Sequence, residues 1–274
     1  MSESTSAGNA TAIIGAGVMG ETLLSGLVRA GRRVDRLLVG EKRAERAREL
    51  EERYGVAVVS NVEAARKADT VILVVKPQDM SDLLDEIAGE LRAGQLVLSL
   101  AAGTTTAFIE ARVPDGVAVV RVMPNTPALV DEGMAAISPG SHCDEGHLRE
   151  AESLMSSVGK VLRIPERQQD AVTAISGSGP AYIFFVVESM IEAGVHLGLP
   201  RATATDLVVQ TLVGSAAMLR ETGTHPVVLR EQVTSPGGTT AWALRELEVH
   251  RVRAAFLAAM EAARNRSREL AEGS

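Results

Sequence analysis

Thr11-Ala12-Ile13-Ile14-Gly15-Ala16-Gly17-Val18-Met19-Gly20 is the stretch that decides the fold. Its first four residues read as a short strand. Leu23, Leu24, Leu27 and Val28, just beyond it, have helical spacing. A G-x-G-x-x-G turn joining a strand to a helix is the fingerprint of a dinucleotide site. Gly15 permits the tight turn, Gly17 lets the backbone approach a pyrophosphate, and Gly20 lets the helix pack close to the strand. The helix start adds unpaired N–H groups and a positive dipole end for the phosphates.

Outward from this turn, strand and helix alternate. Leu37-Leu38-Val39 reads as a strand, Arg43 to Arg53 as an exposed helix, and Val56-Ala57-Val58-Val59 as a third strand. Val71-Ile72-Leu73-Val74-Val75 is unbroken and β-branched, as a central parallel strand covered on both faces must be. Leu83, Leu84, Ile87 and Leu91 have helical spacing, and Leu96 to Leu100 follows as a buried strand. Val117 to Val122, Met134 to Ser138 and Val161 to Ile164 complete the strands. This alternation predicts a doubly wound α/β sheet.

After about Pro165 the pattern changes to long helices rich in Ala, Val, Leu and Met: Asp170 to Leu197, Arg201 to Thr222, Thr239 to Leu247 and Arg251 to Leu270. The expected organisation is a loose tail at residues 1–9, a dinucleotide domain at 10–165 and an all-helical domain at 166–274. Helices this apolar need more cover than one copy gives, so the helical half predicts a homodimer.

Composition narrows the function. The 274 residues are 46% apolar but only 3% aromatic, and the net charge is −7. An acidic chain with no basic block and few stacking platforms does not suit nucleic acid. Arg251, Arg253, Arg264, Arg266 and Arg268 read as a solvated helix face. Cys143 is the only cysteine, which excludes an intrachain disulfide and fits a reducing compartment. His142, Cys143 and His147 match no usual zinc spacing. No apolar leader and no run of about twenty apolar residues is visible. These readings point to the cytoplasm and away from a membrane.

Ligands of open α/β sheets bind beyond the carboxyl ends of the strands. There the second strand is followed by Glu41-Lys42-Arg43. Glu41, 21 residues past Gly20, suits the ribose 2′-OH of NADH, whereas Lys42 and Arg43 suit the 2′-phosphate of NADPH. Lys76-Pro77 follows the fourth strand, and Ala101-Ala102-Gly103 the fifth; small residues there permit approach of a flat ring. Met123-Pro124-Asn125-Thr126-Pro127 follows the sixth as a stiff loop presenting an amide and a hydroxyl.

Two motifs interrupt the helical half. Ser176-Gly177-Ser178-Gly179-Pro180 breaks a helical run, either for close packing or for a ligand near the backbone. Thr234-Ser235-Pro236-Gly237-Gly238-Thr239-Thr240 precedes a helix beginning near Ala241. It offers four hydroxyls where capping requires one, as an anion site for a carboxylate does. No G-x-S-x-G elbow or Walker loop is present, and no histidine stands out as a general acid. Hydride transfer without an obvious acid suits an imine better than a ketone, because a protonated C=N is already electrophilic.

Taken together, Ile14 to Gly20, Val75-Lys76-Pro77, Ala101 to Gly103, Met123 to Pro127, Asp170-Ala171-Val172-Thr173 with Ser176 to Tyr182, and Ser235 to Thr240 resemble the pyrroline-5-carboxylate reductase family. The resemblance covers nearly the whole chain after the tail. It implies NAD(P)H-dependent reduction of the cyclic imine 1-pyrroline-5-carboxylate to L-proline by hydride transfer to C5. It implies a Rossmann-like N-terminal half and an all-α C-terminal dimerisation domain whose helices interleave with a second subunit's. Dimers of the family often build larger rings, such as a decamer.

By motif, Ile14, Gly15, Ala16, Gly17, Val18, Met19 and Gly20 are expected to hold the cofactor pyrophosphate. Asn61, on the loop after Val56 to Ser60, matches a cofactor-binding asparagine. Val74, Val75, Lys76, Pro77, Ala101, Ala102 and Gly103 line the cofactor cleft. Ser235, Gly238, Thr239 and Thr240 match the loop that holds the substrate carboxylate, with Thr240 on the ring nitrogen as the catalytic residue. Glu166 and Gln232 align with further substrate-side positions, Gln232 departing from an asparagine of some relatives. Glu41-Lys42-Arg43 departs from the hydroxyl-rich loop of relatives that favour NADPH, which leaves NADPH and NADH both open. Related hydroxy-acid dehydrogenases want a lysine that Asp170 to Leu197 lacks, and deazaflavin-dependent NADP reductases lack the helical half. A non-catalytic nucleotide sensor would not need the hydroxyl-rich loop.

Overall fold

The computed structural model describes residues 9–272; the tail expected at 1–9 lies, apart from Asn9, outside them. Eight strands form one sheet: β1 (Thr11–Ile14), β2 (Leu37–Gly40), β3 (Ala57–Val59), β4 (Thr70–Leu73), β5 (Leu96–Ser99), β6 (Ala118–Met123), β7 (Gly133–Pro139) and β8 (Gly159–Arg163). Their order is β3-β2-β1-β4-β5-β6-β7-β8. Neighbours are parallel except β6 and β7. The order reverses between β1 and β4, the switch point at which a doubly wound sheet opens a crevice.

Helices cover both faces: α1 (Val18–Arg29), α2 (Ala44–Tyr54), α3 (Asn61–Lys67), α4 (Met80–Ile87), α5 (Thr106–Glu110) and α6 (Glu145–Met155). On one face Leu23, Leu24 and Leu27 of α1 and Leu154 and Met155 of α6 pack with Ile13, Ile72, Leu98 and Val120. On the other, Ala64 and Ala65 of α3 and Leu83, Leu84 and Ile87 of α4 pack with Ile14, Val71, Leu73 and Val97. Adjacent strand residues thus enter opposite cores, which is why the strand sequences are apolar without alternation.

The sequence reading did not find α3, α5 or α6. Each is marked by its cap rather than by an apolar stripe. Ser60 and Thr105 accept from the backbone N–H of Glu63 and Phe108. Asp144 and His147 form a reciprocal capping box at α6. Asn61 is accordingly the first residue of a helix and not a loop residue. Val74 and Val75 lie past the end of β4, because the chain turns there to start the loop.

Beyond β8 come α7 (Gln169–Val172), a π-helical turn at Thr173–Gly177, α8 (Gly179–His196), α9 (Arg201–Thr222), α10 (Pro226–Gln232), α11 (Thr239–Val249) and α12 (Val252–Glu272). The single helix expected over 170–197 is therefore divided. The described residues form two compact units, 9–178 with 263–272, and 179–262. Residues 166–178 belong with the sheet because Gln169 is buried there, donating from Nε2 to Ser138 Oγ at 2.8 Å. Ser267 Oγ donates to Asp170 at 2.9 Å and ties residues 263–272 to the same unit.

In the second unit, α8, α10 and α11 bury no residue and α9 buries only Ala204. Two helical stretches, Glu166–His196 and Arg201–Thr222, are long and apolar enough to cross a membrane by length and composition. The sequence reading missed this because it required an unbroken apolar run, and small Gly, Ser and Thr residues interrupt these.

Candidate functional site

The Gly15 turn sits at the carboxyl end of β1, held by its N–H to Gly40 O at 3.1 Å. Gly15 has φ +98°, and a Cβ there would press into the Val74 carbonyl oxygen. A Cβ on Gly20 would meet the Gly15 carbonyl oxygen. Gly17 is the opposite case: nothing lies within 4 Å of where its Cβ would be. Gly17 is also the N-cap of α1, and no side chain caps that helix. The turn is thus a closed frame around an open cradle facing bare N–H groups, which fits a pyrophosphate.

Beside the cradle lies a cavity of about 350 Å³ lined by Gly15, Glu41, Lys42, Asn61, Val75 and Glu86, among others. Glu41 is nearly buried. It accepts from Arg43 backbone N at 2.9 Å, Nε at 3.1 Å and Nη2 at 3.0 Å. The guanidinium, against the opposing effect of burial, holds the Glu41 carboxyl below the usual carboxylate range. Lys42 Nζ donates to Glu86 Oε2 at 2.8 Å. Asn61 is buried and donates from Nδ2 to the same oxygen at 3.2 Å. The structure therefore brings Ile14, Gly15, Glu41, Lys42, Asn61 and Val75 to one cavity. Glu86 was missed; it sits in the last turn of α4 and carries no motif.

Ala101, Ala102 and Gly103 follow β5 and lead into α5, whose start is fixed from a distance. Glu166 accepts from Thr106 N at 2.8 Å and Thr106 Oγ1 at 2.7 Å, and pairs with buried Arg121 at 3.4 Å. Both carboxylate oxygens of Glu166 are thereby engaged.

Two motifs interlock at the end of β6. Asn125 donates from Nδ2 to Ser176 O at 3.1 Å and accepts from Met134 N at 2.8 Å. A Cβ on Gly177 would strike the Met123 methyl. Gly177 thus packs on the flexible end of Met123, while nothing lies within 4 Å of a Cβ on Gly179.

In the helical unit, Gly237 turns with φ +71° and α11 starts at Thr239, where the helical stretch Thr239 to Leu247 was expected to begin. Its N-cap is Gly238, without a side-chain cap. The hydroxyls of Ser235, Thr239 and Thr240 do not cap the helix, so its first N–H groups remain available to an anion. Gln232 ends α10 and is exposed.

His142 pairs with Asp115 at 3.2 Å, His147 caps α6, and Cys143 donates to Val119 O at 3.1 Å. Each of the three thus has its own separate partner.

The family model described as pyrroline-5-carboxylate reductase dimerisation matches residues 166–270. A pyrroline-5-carboxylate reductase of Corynebacterium melassecola is 47% identical over 94% of this chain and 97% of its own. The chain belongs to the pyrroline-5-carboxylate reductase family. The model described as NADP oxidoreductase, coenzyme F420-dependent, matches only residues 10–103, within the sheet unit that such families share. The solved reductase of Coxiella burnetii superposes with TM-score 0.91 at 38% identity, covering 96% of this chain and 98% of that one. The Plasmodium falciparum enzyme, solved with NADP bound, gives 0.86 at 30% identity, covering 96% and 98%. Membership in the reductase family also carries the homo-oligomeric state, since the helical half is its dimerisation region.

Proposed function

We infer that this protein reduces 1-pyrroline-5-carboxylate to L-proline with NAD(P)H, an oxidoreductase reaction on a CH–NH donor. One observation carries the reading. A chain matching reductases along 94% of its length keeps two helix starts with a glycine N-cap and no side-chain cap, at Gly17 and Gly238. When bound, the nicotinamide cofactor supplies the hydride that goes to imine carbon C5.

The remaining roles belong to the chain's own residues. Ile14 to Gly20 bind the pyrophosphate through backbone N–H groups. Glu41, Lys42, Arg43 and Asn61 bind the adenosine ribose side, and Val74 to Pro77 with Ala101 to Gly103 line the rest of the cofactor cleft. Ser235, Gly238 and Thr239 hold the substrate carboxylate, with Gln232 beside them. Thr240 hydrogen-bonds the ring nitrogen, which must be protonated in the product. Glu166 belongs to the substrate side as a positioning residue, because its oxygens are occupied in fixing the start of α5 after Ala101 to Gly103.

The helical unit builds a homodimer, and dimers assemble into a ring such as a decamer. The apolar α8 and α9 are covered by subunit contacts and not by lipid, in a cytoplasmic enzyme that binds no nucleic acid. The test is direct. Nucleotide absorbance should fall when pyrroline-carboxylate is added to purified protein with NADPH or NADH. No turnover with either nucleotide rules the function out.

A further inference from the structure

Glu86 belongs to none of the motifs that carry the cofactor site, yet it lines the cavity beside the Gly15 turn. Its Oε2 has two partners there, Asn61 and Lys42. Asn61, which donates to it, is buried under the end of β2, with Oδ1 only 2.7 Å from where a Gly40 Cβ would stand. Buried Asn61 thus orients Glu86, and Glu86 pairs with Lys42. The Lys42 ammonium in turn keeps the Glu86 carboxyl below the usual carboxylate range, so it is charged at neutral pH.

Arg43 is spent on Glu41, which lines the same cavity. Both cations that follow β2 are thus paired with carboxylates, and Asp79 and Asp82 add further negative charge to the lining. The two dinucleotides that fit the glycine turn differ only at the adenosine 2′ position. A 2′-hydroxyl accepts a carboxylate neighbour, whereas a 2′-phosphate demands free cations and is repelled by carboxylates. The Lys42–Glu86 pair is largely solvent-facing on the lysine side, with Lys42 73% exposed, so it is weak enough to be released to a phosphate.

We propose that Glu86 is a specificity-determining residue for the nicotinamide cofactor, which holds down affinity for the 2′-phosphorylated form by engaging Lys42 and by adding its own charge to the ribose cavity. The proposal rests on the cofactor site described under Proposed function. Glu41, engaged by Arg43, lines the cavity with Lys42, and Glu86 decides how much of Lys42 the cavity offers. The enzyme keeps both cofactors within reach because the restraint is one exposed ion pair and not a blocked cavity.

The experiment measures Kd for NADPH and for NADH without imine, by nucleotide fluorescence at one fixed ionic strength. Glu86→Gln keeps the acceptor for Asn61 and removes the charge. It should raise the ratio Kd(NADH)/Kd(NADPH) about tenfold, the size of one close like-charge interaction. Lys42→Met, a change at an exposed side chain that folding tolerates, should weaken NADPH by a larger factor than NADH. The double variant should lose most of the Glu86→Gln gain. An unchanged ratio in Glu86→Gln, equal shifts for both nucleotides, or a double variant that retains the gain overturns the proposal. If Gly17→Leu leaves both Kd values unaltered, the failure lies instead with the cofactor site itself.

Discussion

Gly15 and Gly17 are two residues apart and fail for different reasons when changed. Gly15 has φ +98° and the Val74 carbonyl where a Cβ would stand, so Gly15→Ala strains the backbone and pushes on the segment just after β4. It should lower the melting temperature as well as nucleotide affinity. Gly17 has open space around it, so Gly17→Leu should leave the melting temperature unchanged. Its side chain would fill the cradle instead and abolish NADPH binding in a calorimetric titration. Unchanged affinity there would remove the pyrophosphate from the Gly15 turn. Thr240 is a second residue-scale test. Thr240→Val keeps the shape and removes the hydroxyl, and kcat/KM should fall about 10²-fold, the low end for a lost proton-transfer partner. Steady-state kinetics at wild-type values would exclude Thr240 from the reaction. Gly15 and Gly17 were legible in the sequence, because a glycine at a fixed offset between a strand and a helix states its own geometry, whereas the role of Thr240 rests on the family motif and awaits this test. Glu86 was not legible, because an acid on a helix looks like any solvated charge until Asn61 and Lys42 are seen to converge on it.

The elements were read best where burial on two faces writes an apolar strand, and worst where a helix is short. β1, β4 and β5 were legible because both core layers draw on them. α3 and α5 were not, since helices of seven and five residues show too little periodicity. α10 was missed for the same reason, at seven residues. How α1 and α2 are joined was equally invisible. Glu21 of α1 accepts from Arg53 Nη1 at 2.7 Å and Tyr54 OH at 3.0 Å, and pairs with Arg46, all on α2. Burial works against ionisation of Glu21, but these partners outweigh it and hold its carboxyl below the usual range. The unfolded chain therefore binds the Glu21 proton at higher pH than the folded one. The contribution is complete at neutral pH and is lost as pH falls through the carboxylate range. Glu21→Gln should cost about 1 kcal/mol at pH 7, as an ion pair near the surface does. The difference from wild type should shrink towards pH 3 in urea denaturation. A difference independent of pH would show that the packing of Glu21, and not its charge, joins the two helices.

For the whole molecule, the sequence announced that one copy of the helical half cannot cover itself, and the accessible surface bears this out in kind. Phe184 is 66% exposed, Phe185 69% and Leu257 71%. Apolar exposure on this scale in a unit with one buried helix residue on α9 marks an interaction face. What the sequence did not resolve is where the sheet unit stops, because the decisive links, Gln169 to Ser138 and Ser267 to Asp170, span 31 and 97 residues. The oligomer should therefore be separable from nucleotide binding. Phe185→Asp places a charge on α8 where burial of a phenyl ring would stabilise association by about 2 kcal/mol. Sedimentation velocity at micromolar concentration should show a smaller species than wild type. NADPH affinity should persist, since the Gly15 cradle and its neighbouring cavity are built wholly from residues of the sheet unit. Turnover should fall with the loss of the oligomer if the active site uses both chains, as the family resemblance implies. Wild-type sedimentation of Phe185→Asp would place the subunit contact elsewhere on the helical unit, and retained turnover in a dissociated species would show that one chain is sufficient for the reaction.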